Sequence, residues 1–487
     1  LAGNKSQTDT YYFTVDKTAP VGALNVTSND GAGKYTEVKE TSSFEHVTSG
    51  GVQISSEADD VTSGIASVKY YLYHPSVDSR GTFGTPSKSQ LESFDWQPWS
   101  GNLNLDSDQQ TIVYQRMEDK AGNISYVNTS GAIIIDKTAP AKPNIEITTP
   151  ESGKGTYNGD VNGRIHVEDQ EAGGTYSGLK TVKVEVLNGD NVTQSKTYEV
   201  GTKEDRAKSY DTTVVVDSKL NNSNSIKIKV TATDWAGNVS TEIQELAIDT
   251  VAPRIEVNFD STEAKNGRYF NQARTATVRV YERNFDPNAV NISINGGHAS
   301  ISGWSTGSDA GVSDENVNIA TITFAEDGDY TFDIQATDLA GNSSNFKHSE
   351  IFTIDVTKPT VSVSWDTNDA QNGKFYNRAR TATITVNEHN FDAAGFTANV
   401  KASLESQGIS APSVSGWSSN GDTHTATLSF SEDGDYSFTL DFEDMAGNKA
   451  DTITENEFTV DKTVPEIAFE NVQDHSSYKD EIRPAIR

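Results

Sequence analysis

Apolar residues along this chain recur at every second position. Between residues 355 and 460, Val361-Ser362-Val363-Ser364-Trp365 alternates, as do Ala382-Thr383-Ile384-Thr385-Val386, Thr425 to Phe430, Tyr436 to Phe442 and Phe458-Thr459-Val460. A period of two puts alternate side chains on one face of a β-strand, so each run predicts a strand with one buried and one wet face. With an irregular strand near Phe396 to Val400, this stretch holds about seven short strands, and no segment predicts an amphipathic helix. Such a density of alternating strands predicts a two-sheet sandwich.

The pattern repeats. Asp-x-Ala-Gly-Asn occurs at Asp119 to Asn123, Asp234 to Asn238, Asp338 to Asn342 and Asp444 to Asn448, with a truncated copy at Leu1-Ala2-Gly3-Asn4. After one further strand comes an Asp, then three residues, then Pro: Asp16 to Pro20, Asp136 to Pro140, Asp249 to Pro253, Asp355 to Pro359 and Asp461 to Pro465. The successive Asp-to-Asp steps are 120, 113, 106 and 106 residues, each the size of one small domain. The predicted domains are therefore 16–135, 136–248, 249–354 and 355–460. Residues 1–15 are expected to be the last strand of a preceding repeat, and 461–487 the start of a following one. A chain that opens inside one motif and stops just after another is expected to belong to a longer parent, with any targeting signal elsewhere.

Glu326-Asp327-Gly328-Asp329-Tyr330 and Glu432 to Tyr436 precede the sixth strand. A Tyr there matches the tyrosine corner of immunoglobulin-like sandwiches, and Phe332 and Phe438 stand where antibody domains place a cysteine. With its Ala-Gly-Asn turn, one strand and an Asp-Lys-Thr-Ala-Pro-like junction, the chain resembles the tandem bacterial immunoglobulin-like (Big-type) repeats of large Gram-positive surface proteins and adhesins. The resemblance covers essentially the whole chain and implies tandem immunoglobulin-like β-sandwich domains in an elongated rod, extracellular, on a bacterial cell surface or cell wall. At about 3.3 Å per strand residue, four such domains would span on the order of 160 Å. Domains three and four share Asn-Gly-x-x-x-Asn-x-Ala-Arg-Thr-Ala-Thr (Asn266 to Thr277, Asn372 to Thr383) and Glu-x-Asn-Phe-Asp (Glu282 to Asp286, Glu388 to Asp392). Domains one and two instead carry Ser63-Gly64-Ile65 and Ser177-Gly178-Leu179.

Charge narrows the partners. The net charge is −31, which repels nucleic-acid phosphates and anionic lipid, so neither partner is expected. No run of 18 apolar residues offers a membrane span. The chain has no Cys, which excludes disulfide and thiol chemistry. The eight His are scattered and no nucleophile or zinc motif is present, so no enzyme is expected. A Lys–Asn isopeptide bond of the kind some Gram-positive sandwiches carry would use Lys17 or Lys137 with Asn123 or Asn238. Thr250 and Val356 replace that Lys in the later domains, so the bond is not expected there.

Two binding readings remain. Domain one has its own insertion, roughly His74 to Gln97, in which Phe94 and Trp96 lie beside a Tyr-rich strand (Tyr70, Tyr71, Tyr73). Exposed rings on a rigid sandwich would suit a glycan or a protein; otherwise they cover an enlarged core. The arginines of domain three (Arg268, Arg274, Arg279, Arg283) are a second candidate surface. Trp99, Trp304 and Trp417 recur at matching stages of three repeats and read as packing.

The second reading is metal. In such a sandwich the start of the first strand, the B–C loop and the F–G loop lie at one end, and acids stand at all three. They are Asp16, Glu57 with Asp59, and Asp119 in domain one, then Asp136, Glu168 with Asp169, and Asp234 in domain two. Domain three has Asp249, Glu282 and Asp338; domain four has Asp355, Glu388 and Asp444. Grouped carboxylates with nearby carbonyls suit Ca²⁺ at the junctions; otherwise these residues only cap turns. The expected function is a stalk or adhesive segment that projects or forms a binding site for host ligands, and the chain is expected to be a monomer. The alternatives are a dedicated module for a host surface protein such as an immunoglobulin or for a glycan, or accessory domains of a secreted carbohydrate-active enzyme.

Overall fold

The computed structural model describes residues 5–6, 8–39, 44–76, 86–307, 316–406 and 412–487; the motif copy at Leu1 to Asn4 and part of the domain-one insertion lie outside them. The chain is all-β apart from short helices, and it folds as tandem immunoglobulin-like sandwiches. It divides into two compact units, residues 1–251 with 339–342, and 252–338 with 343–487.

In the first unit, the first sandwich sets Gly31–Tyr35, Val21–Ser28, Val52–Asp59 and Leu103–Leu105 in one sheet. The other sheet runs Phe44–Thr48, Ala132–Ile135, Gln109–Asp119, Ile65–Tyr73, Gln97–Pro98, and Ile124–Asn128 also pairs with Gln109–Asp119. Leu24, Val26, Val52 and Ile54 meet Val113, Met117, Ile133 and Ile135 between the sheets. The second sheet is buried on its outer face too, where Ile112, Tyr114, Ala132 and Ile134 join Phe44, Val47 and Leu91. Burial on both faces is why Ala132-Ile133-Ile134-Ile135 shows no alternation. The second sandwich has seven strands. Asn144–Ile147, Val161–Glu168 and Ser209–Val216 face Asn191–Glu199, Leu179–Asn188, Ser223–Asp234 and Val239–Ile248. Val161, Ile165 and Val167 pack on Val182, Val184, Ile228 and Val230.

In the second unit, the third sandwich places Arg254–Phe259, Arg274–Glu282, Asn316–Phe324 and Ala299–Ile301 against Tyr269–Phe270, Ser343–Ile354, Gly328–Thr337 and Val290–Asn295. The fourth repeats the plan with Thr360–Trp365, Arg380–Asn387, Thr423–Phe430 and Ser413–Val414 against Phe375–Tyr376, Ile453–Val460 and Gly434–Leu440. The Tyr330 hydroxyl donates to the Glu326 carbonyl at 2.9 Å and the Tyr436 hydroxyl to the Glu432 carbonyl at 2.8 Å. Both tyrosine corners are thus formed, with Phe332 and Phe438 fully buried in the core.

One element departs from expectation. Phe396 to Val400 is not a strand but part of a helix, Ala393–Ser406, packed on Gly434–Leu440. After the same Glu-x-Asn-Phe-Asp block, the third sandwich makes a 3-10 turn and then the strand Val290–Asn295. There Val290, Ile292 and Ile294 recur every second residue and face the core. In the fourth sandwich the buried pair is Phe396 and Val400, four apart, which is a helical spacing. Asp392 Oδ1 accepts from the Ala394 and Gly395 amides at 3.2 and 3.0 Å and caps the start. A shorter helix, Lys88–Ser93, sits in the domain-one insertion with Ser87 and Gln90 forming a capping box.

Each sandwich also carries a short stretch that crosses to the opposite sheet and runs parallel to the last strand. Phe44–Thr48 pairs so with Ala132–Ile135, Tyr269–Phe270 with Ser343–Ile354 and Phe375–Tyr376 with Ile453–Val460. In the second sandwich the pairing is reduced to one parallel bridge, Tyr157 with Ile248.

Candidate metal centres

The two recurrent motifs are joined by one side chain. In the first sandwich Asp119 Oδ1 accepts from the amides of Ala121 and Asn123, both at 2.8 Å, and closes the turn. Gly122 supplies φ +89°, which a side chain would strain. Asn123 Nδ2 then donates to Asp119 Oδ2 at 2.8 Å and to the Asp16 carbonyl at 3.2 Å. Asn238 makes the same bridge to Asp234 Oδ2 at 2.8 Å and the Asp136 carbonyl at 2.9 Å. Asn448 makes it to Asp444 Oδ2 at 2.9 Å and the Asp355 carbonyl at 2.8 Å, and Asn342 donates to the Asp249 carbonyl at 2.9 Å. The asparagine is a strut from the last hairpin to the entry of its own sandwich. Each entry Asp also caps the next turn through Oδ1, as Asp136 does for the Thr138 amide at 3.1 Å.

These struts draw carboxylates together. Asp16, Asp60 and Asp119 form one triad, Asp136, Asp169 and Asp234 a second, and Asp355, Glu388 and Asp444 another; in each, one oxygen per residue lies within 4.8 Å of the others. Asp249 is buried in the first unit, and Glu282 and Asp338 are buried in the second.

Three expected members fall outside. Glu57 and Asp59 are exposed; Glu57 pairs with Lys34 Nζ at 2.7 Å and accepts from Asn25. Glu168 is also exposed. The reason is strand parity. Val52 and Ile54 point inward, so even positions keep that side up to Asp60, while 57 and 59 point to water. Val161, Ile165 and Val167 point inward, so Asp169 follows them and Glu168 does not. Asp60, missed in the sequence, was marked by this phase.

The triads differ electrically. Burial, then the charge on Asp136, raises Asp169 from the usual carboxylate range to about 7, against a hydrogen bond from the Gly178 amide. Burial raises Asp234 to about 6 despite its bonds from Asn238, and Asp136 is raised for the same first cause. Burial, then the charges on Asp355 and Asp444, raises Glu388 to about 7, although the Asn390 amide donates to it at 2.7 Å. In the first triad burial also pushes upward, but hydrogen bonds outweigh it. Asp60 takes three amides, from Thr62, Ser63 and Gly64, and both Asp60 and Asp119 are lowered. Asp169 Oδ1 is buried and has no hydrogen-bond partner among the described residues. Three buried carboxylates with a spare oxygen form a hard, anionic donor set that fits a divalent cation such as Ca²⁺. A cleft of about 470 Å³ leads to Asp355 and Glu388 between Asp327, Asp329, His389 and Asp422.

No family profile and no curated protein matches this chain. Among solved structures it is similar to an ICAM-5 D1–D4 ectodomain fragment (13% identity, 90% of this chain and 99% of that one, TM-score 0.38). It is also similar to a tetra-tandem repeat from the extending region of a large adhesion protein (16% identity, 87% and 99%, TM-score 0.35). A third likeness is to a 1.5-MDa bacterial ice-binding adhesin (15% identity, 63% and 91%, TM-score 0.24). Likenesses at this level carry no functional argument.

The other candidates are largely absorbed by packing. Tyr71 stacks on Phe94 at 4.1 Å, Phe94 meets Tyr114 at 5.9 Å, and Trp96 meets Tyr126 at 5.7 Å. Trp96 Nε1 donates to the Leu91 carbonyl at 2.8 Å. Tyr71, Tyr73, Phe94 and Trp96 lie on the outer apolar cluster of the first sandwich, while Tyr70 turns to Trp99 at 5.6 Å. All five rings are half-buried, and of the two readings this packing fits the one in which they cover an enlarged core. Trp304 and Trp417 pack on Phe285 and Phe391. Arg274 lies over Phe259 at 3.9 Å and Phe270 at 4.3 Å, and all four arginines of that group are half-buried. Lys137 pairs with Asp106 at 2.5 Å, and the Asn123 and Asn238 amides are engaged as struts. Among the described residues, no helix is long and apolar enough to cross a membrane.

Proposed function

We propose that this chain is a stalk segment of an extracellular adhesive protein on a bacterial, Gram-positive cell wall, whose sandwiches are stiffened at their entries by bound Ca²⁺. In this reading it performs no reaction. It carries a binding tip for a host protein or glycan away from the cell and acts as a monomer. The observation that supports the reading is the recurrence of one arrangement: an asparagine strut ties the last hairpin to the entry strand, and a carboxylate triad stands beside it. The bacterial placement rests on the Asp-x-Ala-Gly-Asn and Asp-to-Pro motifs at domain spacing.

Thermal melting and small-angle scattering in metal-free buffer and in millimolar calcium test it. A cation bound only to the folded state stabilises by mass action, about 2.7 kcal/mol at one hundred times Kd. Calcium is expected to raise the melting midpoint, and Asp234→Ala to remove the gain of the second sandwich alone. Unchanged melting would remove the cation from the proposal, and scattering from a compact particle would remove the stalk.

A further inference from the structure

We infer that the first two sandwiches are fused into one body by a joint that needs no cation, and that the domain-one insertion exists to build it. The central piece is Arg206, on the loop of the second sandwich before Ser209–Val216. It is 1% exposed, the largest fully buried side chain of the described residues. Its Nη1 donates to Gln110 Oε1 of the first sandwich at 2.8 Å and to the Tyr176 carbonyl at 3.3 Å. Its guanidinium lies 4.5 Å over the ring of Phe44, again in the first sandwich, and 5.0 Å over Tyr176. A buried guanidinium is retained only where acceptors and ring faces are supplied together, and here half of them come from the neighbouring domain.

Close backbone approach backs this up. A Cβ on Gly173 of the second sandwich would sit 2.1 Å from the Asp108 carbonyl of the first, and a Cβ on Gly178 would sit 2.5 Å from Arg206 Cα. Beside the arginine, Trp235 and Ala236 pack on the outer apolar cluster of the first sandwich, the cluster that Leu91, Phe94 and Trp96 of the insertion complete. Lys203 with Asp30 at 3.3 Å and Lys137 with Asp106 at 2.5 Å close the rim.

These parts are peculiar to this pair of repeats. The turn residue before Ala-Gly-Asn is Trp only in the second copy; Lys120, Leu339 and Met445 hold that place in the others. The insertion occurs only in the first. The joint differs in chemistry from a carboxylate site, because apolar area and a guanidinium hold it, and neither changes when a cation leaves.

The absence of cysteine allows a clean test on the whole chain. Nitroxide labels on Thr27→Cys and Thr197→Cys, both exposed, report the distance between the sandwiches by double electron–electron resonance. A pair within the second sandwich, Thr197→Cys with Glu245→Cys, reports that it is folded. The expected result is one narrow distance peak, identical in metal-free buffer and in calcium. Arg206→Ala, and separately Gln110→Leu, should broaden it while the control pair stays narrow. If Arg206→Ala also broadens the control pair, the metal-free measurement and Gln110→Leu decide. A broad distribution in metal-free buffer with the joint intact, or an unbroadened peak in Gln110→Leu, overturns the inference. The result is separable from the stalk proposal: failure of calcium to bind leaves this joint standing, and a floppy joint leaves calcium binding intact.

Discussion

The second triad makes stability depend on pH in a direction opposite to that of most paired carboxylates. Asp169 and Asp234 stand at about 7 and about 6 in the fold, against 3.8 for a free Asp. A raised carboxyl means that the folded state holds protons that the unfolded chain has released. Its contribution is complete below the unfolded value and is lost as pH rises through the folded one. Between pH 5.5 and 8, at about 1.4 kcal/mol per unit, Asp169 alone loses about 2 kcal/mol and Asp234 about 1 kcal/mol. They titrate as a coupled set with Asp136, so the total is about 2–3 kcal/mol. For a cooperative unit of 150–250 residues that is roughly 5–10 °C in melting midpoint. Urea unfolding of the chain in metal-free buffer at several pH values, followed by tryptophan emission, reads it. Stability should fall from pH 5.5 to 8, calcium should restore it at pH 8, and Asp169→Asn should flatten most of the slope of the first unit, while the second keeps the slope that Glu388 gives it. Stability that stays level or rises over this range without metal would refute the account, as would an Asp169→Asn variant that keeps the slope of the first unit. In the first sandwich Asp60 and Asp119 are lowered and should act in the opposite sense, their contribution being lost in acid as pH falls below the usual carboxylate range.

Asn238→Ala removes the strut and leaves the Asp136 carbonyl and Asp234 Oδ2 short of a donor, which should cost about 1–3 kcal/mol in the second sandwich, read as a lower urea midpoint with unchanged m. Phe396→Ala empties the contact of the helix with Phe442 and Trp417 and should cost the fourth sandwich about 3–5 kcal/mol; a loss near zero in calorimetry would show that the helix does not carry that core.

Strand, turn and repeat were legible because each rests on local chemistry: period-two burial, a positive-φ glycine and an aspartate that caps its own turn. Asp169 was read from the sequence, and Asp60 was legible in principle, since a strand that buries Val52 and Ile54, like one that buries Ile165 and Val167, carries its phase into the loop. Reading acids by proximity in sequence instead admitted Glu57, Asp59 and Glu168. The helix at Ala393–Ser406 was obscured because its homologous neighbour in domain three is a strand, and only the change from Val290-x-Ile292-x-Ile294 to Phe396-x-x-x-Val400 separates them. The struts were hidden for another reason. Asn238 and Asp136 are 102 positions apart, and only closure of the sandwich brings them together. The fate of the domain-one rings depended in the same way on Trp235, a residue of the next domain.

The short crossing stretches have a consequence for a chain under tension. Within a sandwich, the asparagine strut fixes the last hairpin beside the entry, so the final strand runs away from the point where the chain comes in. The crossing stretch lies parallel to that final strand. A pull on the two ends therefore drags these neighbours in opposite directions along their own axes. The hydrogen bonds between them are strained together in shear, rather than peeled one after another. Four residue pairs join them in the first sandwich, Ala132 with Phe44 and, past a one-residue shift in register, Ile133 to Ile135 with His46 to Thr48, whereas the second relies on Tyr157 and Ile248. The repeats are thus graded in the length of the clasp that meets an extending force.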